Sequence, residues 1–471
     1  MKYIIHSAEP CSRLTSVFWI LVFCIVFLGA GCSGKGETNR NRAGSSPTLL
    51  VAVDGLEWSV LEPLLAEGKL PVFSDLIERG SSGYLKTMTP AFSPVIWTSI
   101  ATGKVPQKHG IPNFIYEVSR NGKPEYRSFT SGHRKTKAFW NILSDYGFAV
   151  HCLGWWITYP TEPITGVMVS QTNTTDALRN PKGALWKGSL LKGVDGQVHP
   201  SELQNMVMGW LEEVDASLEK ITEEMFGPRP HPLTLFGRRM WEQSQWAFRA
   251  DAIYLRAARE ILSSERPTDL LAVYIGGPDV VSHRFWRYTY PGEFTHPPSP
   301  EEIENFGRII ENYYLYVDRK IGELLELLPE DAGVMIVSDH GMHAANTDHI
   351  FSADDPPELA NSAKHHDGPP GVIVAAGGGF RRAGRQDRAG LKTLGSVFDV
   401  TPTLLALKGV PLGLDMDGKP MLELIHTGDT EIPGIHTHDT PEWLAGRQER
   451  ILEAVDQSER IEQLRALGYL Q

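Results

Sequence analysis

Cysteine is scarce in this chain. Of four in 471 residues, Cys11 and Cys24 fall within the first 30 residues, a stretch that reads as a signal segment, which leaves Cys32 and Cys152. No disulfide framework is available to stabilise the fold, so stability has to come from a packed core. Clustered positive charge is missing as well. The net charge is −12 and no long basic block occurs. That argues against a nucleic-acid-binding face, which needs Lys and Arg gathered together to neutralise phosphates. Internal repeats and long low-complexity tracts are absent, which argues against a solenoid or a fibrous array. The apolar run at residues 17–30 is only 14 residues long. It is short for a membrane-spanning helix and suits the apolar region of a secretory signal.

An apolar fraction of 41% is enough for a large core. The length fits two or three domains, or one large α/β domain with insertions. Lys2 and Arg13 precede the apolar run, and "LGAGC" follows it. This stretch resembles a bacterial lipoprotein lipobox, with Cys32 as the lipidated first mature residue, although Gly29 stands where leucine is usual. The expectation is a signal peptide over residues 1–32 and a polar, flexible tether over 33–47. The remainder would then be exported and held to the membrane by lipid, facing the periplasm or the outer surface.

From residue 48 the pattern alternates. "TLLVAV" is a continuous apolar run of strand length that stops at Asp54-Gly55, as expected of a strand buried on both faces of a parallel sheet. Helical spacing follows over residues 59–80. Residues 138–156 read as helix, turn and strand, "DLLAVYIGGPD" as a buried strand ending in an acid, and residues 301–328 as one long amphipathic helix. "GVMIVSDHG" and "GVIVAAGGG" are strands, and "VFDVTPTLLALKGV" begins a helix. Alternating strands and helices predict an α/β three-layer sandwich, a mostly parallel sheet with helices on both faces. The catalytic domain is expected over residues 48–425. Residues 157–268 interrupt it and read as a helical cap over the sheet's carboxyl edge. Residues 440–471 read as a helical tail.

Three strand-like runs end in acids, at Asp54, Asp279 and Asp339. His283 lies four residues after Asp279, His340 directly follows Asp339, and His365-His366 precede the run at residues 371–379. One acid after a strand is usually a turn or cap residue, and one histidine usually packs or hydrogen-bonds. Together they mean more, because parallel strands bring their carboxyl ends to one rim. Mixed carboxylate and imidazole donors suit Zn²⁺, and also Mn²⁺ or similar ions. The hydroxyls of "TPAFSPVIWTSIATGKVPQKHGI", namely Ser93, Thr98, Ser99 and Thr102, are candidate nucleophiles.

"VAVDGLEW", this hydroxyl-bearing segment, "GGPDVVSH", "VSDHGM" and "HHDGPPGVIV" stand in the order seen in the alkaline phosphatase superfamily. The chain most resembles its type I phosphodiesterase and nucleotide pyrophosphatase branch, over roughly residues 48–422. That resemblance implies Ser93 as nucleophile, ten residues before Gly103, with two divalent metal ions beside it. Asp54, Ser93, Asp339 and His340 would hold one. Asp279, His283 and a late histidine would hold the other, that histidine being His365, six residues before Gly371, with His366 as the near alternative. Ile96 stands where the branch's pyrophosphatases often carry asparagine. The "SPVIW" frame lacks a sulfatase's arginine, and no Asp-Ser-Ala nucleophile of alkaline phosphatases proper occurs. The implied activity is hydrolysis of a small phosphorylated substrate, a phosphodiester or nucleotide pyrophosphate. Phosphomonoesterase, phosphonate hydrolase or transferase activity are alternatives on the same scaffold, and a non-enzymatic envelope-binding protein is the reading from another class.

Overall fold

The computed structural model describes residues 46–120, 123–171, 190–386, 390–426 and 431–448. The expected signal segment, Cys32, most of the tether and residues 449–471 of the expected tail lie outside the described residues. Among the described residues no helix is long and apolar enough to cross a membrane.

In chain order, β1 (Thr48–Val53) leads to α1 (Trp58–Ala66), α2 (Pro71–Arg79), β2 (Gly80–Lys86) and α3 (Ser93–Thr102). Next come α4 (Phe139–Asp145), β3 (Val150–Leu153), β4 (Met168–Val169) and β5 (Val198–His199). Three helices follow: α5 (Gln204–Phe226), α6 (Leu235–Glu242) and α7 (Gln245–Leu262). Then come β6 (Leu270–Ile275), α8 (Gly277–Thr289), α9 (Ile309–Leu325) and β7 (Gly333–Val337). The sheet is completed by β8 (Gly371–Ala376) and β9 (Thr393–Ser396), before α10 (Val400–Leu407).

Among the described residues nine strands make one sheet in the order β9-β2-β8-β7-β1-β6-β3-β4-β5. All run the same way except β8, antiparallel to β2 and β7, and β5, antiparallel to β4. β1 lies in the middle, paired in parallel with β6 and β7. Its side chains split between two cores. Leu49, Val51 and Val53 pack with α1, α2, α5, α7, α8 and α9, while Leu50 and Ala52 pack with α3, α4 and α10. Burial on both faces explains the unbroken apolar run, and each such leucine or valine stabilises the fold by about 1.5–3 kcal/mol. The architecture is the predicted α/β three-layer sandwich.

Several details differ from the sequence-based expectation. The helical spacing of residues 59–80 covers two helices, parted where Pro71 starts α2, and its last residue opens β2. "GSSGYLK" lacks an apolar alternation because it has to be small. A Cβ on Gly80 would stand 2.2 Å from the Ala375 carbonyl, and one on Gly83 would stand 2.4 Å from that of Lys392. The long amphipathic helix is broken at Gly307, between Pro300–Phe306 and α9. Residues 157–268 are not helical throughout, since β4 and β5 extend the sheet edge. α7 packs on β6 and β3 in the face layer, as the crossover between parallel strands requires.

A buried histidine makes this fold sensitive to acid. His151 on β3 accepts from the Val167 N–H through Nδ1 at 3.0 Å and donates through Nε2 to the Pro267 carbonyl at 3.1 Å. Burial lowers its pKa to about 4. A histidine depressed in the folded state gives its full stability above the unfolded pKa of 6.5 and loses it as pH falls towards 4. Between about pH 7 and pH 5, the wild type should therefore lose about 2 kcal/mol more than a His151→Gln variant. Urea unfolding of both proteins at both pH values measures this difference.

Candidate metal centre

The Asp54-Gly55 turn follows β1, and its glycine is needed. Gly55 adopts φ +69°, and a Cβ there would lie 2.8 Å from the Cα of Asp279. The turn therefore packs directly on the start of α8 and brings the acid after β1 close to Asp279 of α8. Asp54 turns its two oxygens different ways. Oδ2 accepts from Tyr274 Oη at 2.6 Å and from Trp97 Nε1 at 3.1 Å, while Oδ1 lies 3.2 Å from His340 Nε2. Asp339, two residues beyond β7, accepts from the Gly55 N–H through Oδ1 at 3.4 Å and places Oδ2 3.3 Å from the same His340 nitrogen. Ser338 ties the two turns together, accepting from the Leu56 N–H and donating to the His340 carbonyl. Glu57 does the same from the other side, accepting from the Ser59 and Met342 N–H groups.

The structure places Asp279 differently from its sequence reading. β6 stops at Ile275, and Asp279 sits in the first turn of α8. His283 is one helical turn on, so both side chains share a face. Their Oδ1 and Nε2 atoms are 3.3 Å apart. His365 Nε2 lies 3.1 Å from His283 Nε2 and 3.6 Å from Asp279 Oδ1. Its ring stacks on His340, with centroids 3.6 Å apart and planes at 4°. His366 stacks on the outer side of His365 and meets Phe92 edge-on. Ligand atoms of Asp54, Asp339 and His340 all lie within 4.8 Å of one another, and so do those of Asp279, His340 and His365.

Ser93 is the first residue of α3 and is fully buried. Contacts bracket it on both sides. The Ala91 N–H donates to the His366 carbonyl and Phe92 touches the His366 ring, while Trp97, one turn along α3, donates to Asp54. The other candidate hydroxyls turn inward. Those of Thr98, Ser99 and Thr102 donate to carbonyls of their own helix one turn back.

The protons on the rings can be read from their partners. His283 Nδ1 faces the Ala363 carbonyl at 2.8 Å, and His340 Nδ1 faces that of Gly341 at 3.1 Å. A carbonyl only accepts, so each Nδ1 carries hydrogen, and each neutral ring offers an Nε2 lone pair to the acids. Such lone pairs and carboxylates repel unless a cation or proton lies between them. Burial opposes charge on His340, but Asp339 and Asp54 outweigh it and raise its pKa to about 10. Burial and Asp54 together push the Asp339 carboxyl well above its usual range. Ser93 Oγ, Asp54 Oδ1, Asp339 Oδ2 and His340 Nε2 are buried and make no hydrogen bond among the described residues. Buried polar atoms are rarely left so. The donor set and its unmet valences fit divalent cations of the zinc or manganese type.

Other histidines serve the loops. His109 accepts from the Ile111 N–H and meets Ser99 Oγ at 3.0 Å. His343 pairs with Asp367, and His349 with Asp355. Trp155, Trp156 and Trp286 are buried in the cores. Asp415 and Asp417 bind Lys104 and Lys108. Sequence reasoning missed Glu57, Trp97, Asp251 and Tyr274. Only Trp97 carried a signal, its spacing of one helical turn from Ser93.

A sequence model described as type I phosphodiesterase / nucleotide pyrophosphatase matches residues 48–407. Bovine bis(5'-adenosyl)-triphosphatase ENPP4 is 22% identical over 353 residues, 71% of this chain and 55% of that protein. The chain thus spans about half the length of that relative. Among solved structures, human ectonucleotide pyrophosphatase / phosphodiesterase 5 is 14% identical with a TM-score of 0.42, covering 77% of this chain and 95% of its own. Phosphonoacetate hydrolase from Sinorhizobium meliloti is 18% identical with a TM-score of 0.36, covering 64% and 57%.

Proposed function

Because this chain belongs to the type I phosphodiesterase / nucleotide pyrophosphatase family of the alkaline phosphatase superfamily, we propose that it hydrolyses a phosphodiester or nucleotide pyrophosphate bond in a small substrate through a covalent phospho-Ser93 intermediate. The observation that carries this reading is the convergence of Asp54, Asp339 and His340 with Asp279, His283 and His365 beside the first turn of α3. The first three residues and Ser93 would hold one divalent cation. The second three would hold the other, with His365 as the late ligand and His366 stacked behind it. Bound there, two such ions supply positive charge that acidifies a serine hydroxyl and offsets the negative charge of a transferring phosphoryl group.

The chain's own residues do the rest. Ser93 Oγ attacks phosphorus, forming a P–O bond as the ester oxygen departs with its electron pair. The position of Ser93 at the head of α3 favours negative charge on that oxygen. Water then cleaves the phosphoserine, which restores the hydroxyl and releases a phosphomonoester. Trp97 and Tyr274 keep Asp54 Oδ1 turned inward by occupying Oδ2.

Incubating the purified protein with Zn²⁺ and bis-p-nitrophenyl phosphate tests the reading. Saturable nitrophenolate release, faster than from p-nitrophenyl phosphate, is expected. Absence of turnover on the diester overturns it, and faster turnover of the monoester moves the assignment to a phosphomonoesterase. We also propose export and lipidation at Cys32. That reading rests on Lys2 and Arg13, the apolar run at residues 17–30 and "LGAGC", and mass analysis of the mature N-terminus decides it.

A further inference from the structure

α8 carries both Asp279 and His283, yet its start has no cap of its own. The N-cap residue is Gly276, which has no side chain, and Pro278 lacks an N–H. Helix starts leave backbone donors that need partners. Here the partner comes from α7, in the segment ahead of β6. Asp251 accepts from the Gly276 N–H through Oδ1 at 2.8 Å and from the Gly277 N–H through Oδ2 at 2.9 Å. Tyr313 of α9 donates its hydroxyl to the same Oδ2 at 2.7 Å. Asp251 is 1% exposed. Gly277 makes this approach possible, because a Cβ there would lie 1.9 Å from the Tyr313 ring carbon and oxygen.

We propose that Asp251 is a positioning residue for the second cation, fixing the first turn of α8 so that Asp279 and His283 point together at His365. The inference rests on the reading that these three residues hold a cation. Capping by a remote carboxylate leaves the start of α8 dependent on α7 rather than on its own sequence. Asp279 lies only two residues past the second bonded N–H, so a shift there is passed to the ligand almost undiminished. A second link has the same origin. Arg284, adjacent to His283, donates to the Gln243 carbonyl and to Ser244 Oγ at the start of α7. The helical segment ahead of β6 thus builds the metal centre from behind.

Asp251→Asn keeps the shape but replaces one accepting oxygen with an N–H donor that faces other donors. Zn²⁺ titration against a chromogenic chelator should give two ions per wild-type chain. In the variant the weaker ion should bind about 10–100-fold less tightly, the usual effect of losing a partner that orients a ligand. At limiting Zn²⁺, kcat on bis-p-nitrophenyl phosphate should fall and recover as Zn²⁺ is raised, with KM little changed. A purely structural role would not give recovery with metal. Tyr313→Phe removes one donor without creating a cavity, and should weaken the same ion in the same direction by less. It decides the matter if Asp251→Asn does not fold. Wild-type affinity for both ions in Asp251→Asn, or in Tyr313→Phe where the first is unfolded, overturns the proposal. A wild type that binds no Zn²⁺ overturns the underlying reading instead.

Discussion

A Ser93→Ala variant should hydrolyse bis-p-nitrophenyl phosphate about 10⁴-fold more slowly than the wild type, or worse, as loss of a nucleophile does in other covalent enzymes. The fold should survive. Ser93 Oγ makes no hydrogen bond among the described residues, so its removal breaks none of those contacts, and the change in stability should stay within about 0.5 kcal/mol. The measurement is kcat beside a thermal melt. Acid quenching of the wild type during turnover should also trap a p-nitrophenylphosphoryl group on the peptide containing Ser93. Full activity in the variant would place the nucleophile elsewhere, although Thr98, Ser99 and Thr102 each donate into their own helix.

Chelation should have an effect of similar size by another route. Dialysis against EDTA should abolish turnover and lower the melting temperature, and Zn²⁺ or Mn²⁺ should restore both at two ions per chain. Three buried carboxylates line the site, Asp54 and Asp339 together and Asp279 beside His340, which both groups share. Without cations their repulsion is relieved only by protons. A ligand present at about a thousandfold its dissociation constant stabilises the folded state by about 4 kcal/mol per site, so the melting point should drop by several degrees. Activity that persists with no metal detectable by elemental analysis would refute the two-cation mechanism.

Much of this was legible in the sequence because the chemistry sits where strand signals are strongest. "TLLVAVDG" and "GVMIVSDHG" each pair a doubly buried strand with an acid at its end, so Asp54, Asp339 and His340 could be placed on one rim before any coordinates. His283 stood out only as lying four residues after an acid read as the end of a strand, and its role came from the resemblance; the helix that puts the two on one face, α8, starts earlier than that reading allowed. The choice between His365 and His366 was not legible. It depends on which ring stacks inward on His340, a tertiary fact without local signature. β2 was hidden because close neighbours force glycine and serine into it. Asp251 was hidden for the opposite reason, as an acid in an amphipathic helix looks solvated until α8 is packed against it. The residues that orient the ligands come from elements whose sequence patterns report only their packing.

The start of β1 has a consequence for handling the protein. Pro47 accepts from the Gly333 N–H, the carbonyl of Ser46 accepts from Lys408 Nζ, and Ser46 Oγ donates to Asp331. These bonds clamp the upstream end of the central strand, and Asp54 lies at its downstream end, about 20 Å away for six extended residues. Force or bulk applied through the leading end of the chain, whether from a bead, a purification handle or a lipid, is therefore taken up by that clamp. Ser93, one helical turn before the Trp97 that donates to Asp54, lies with Asp54 at the other end.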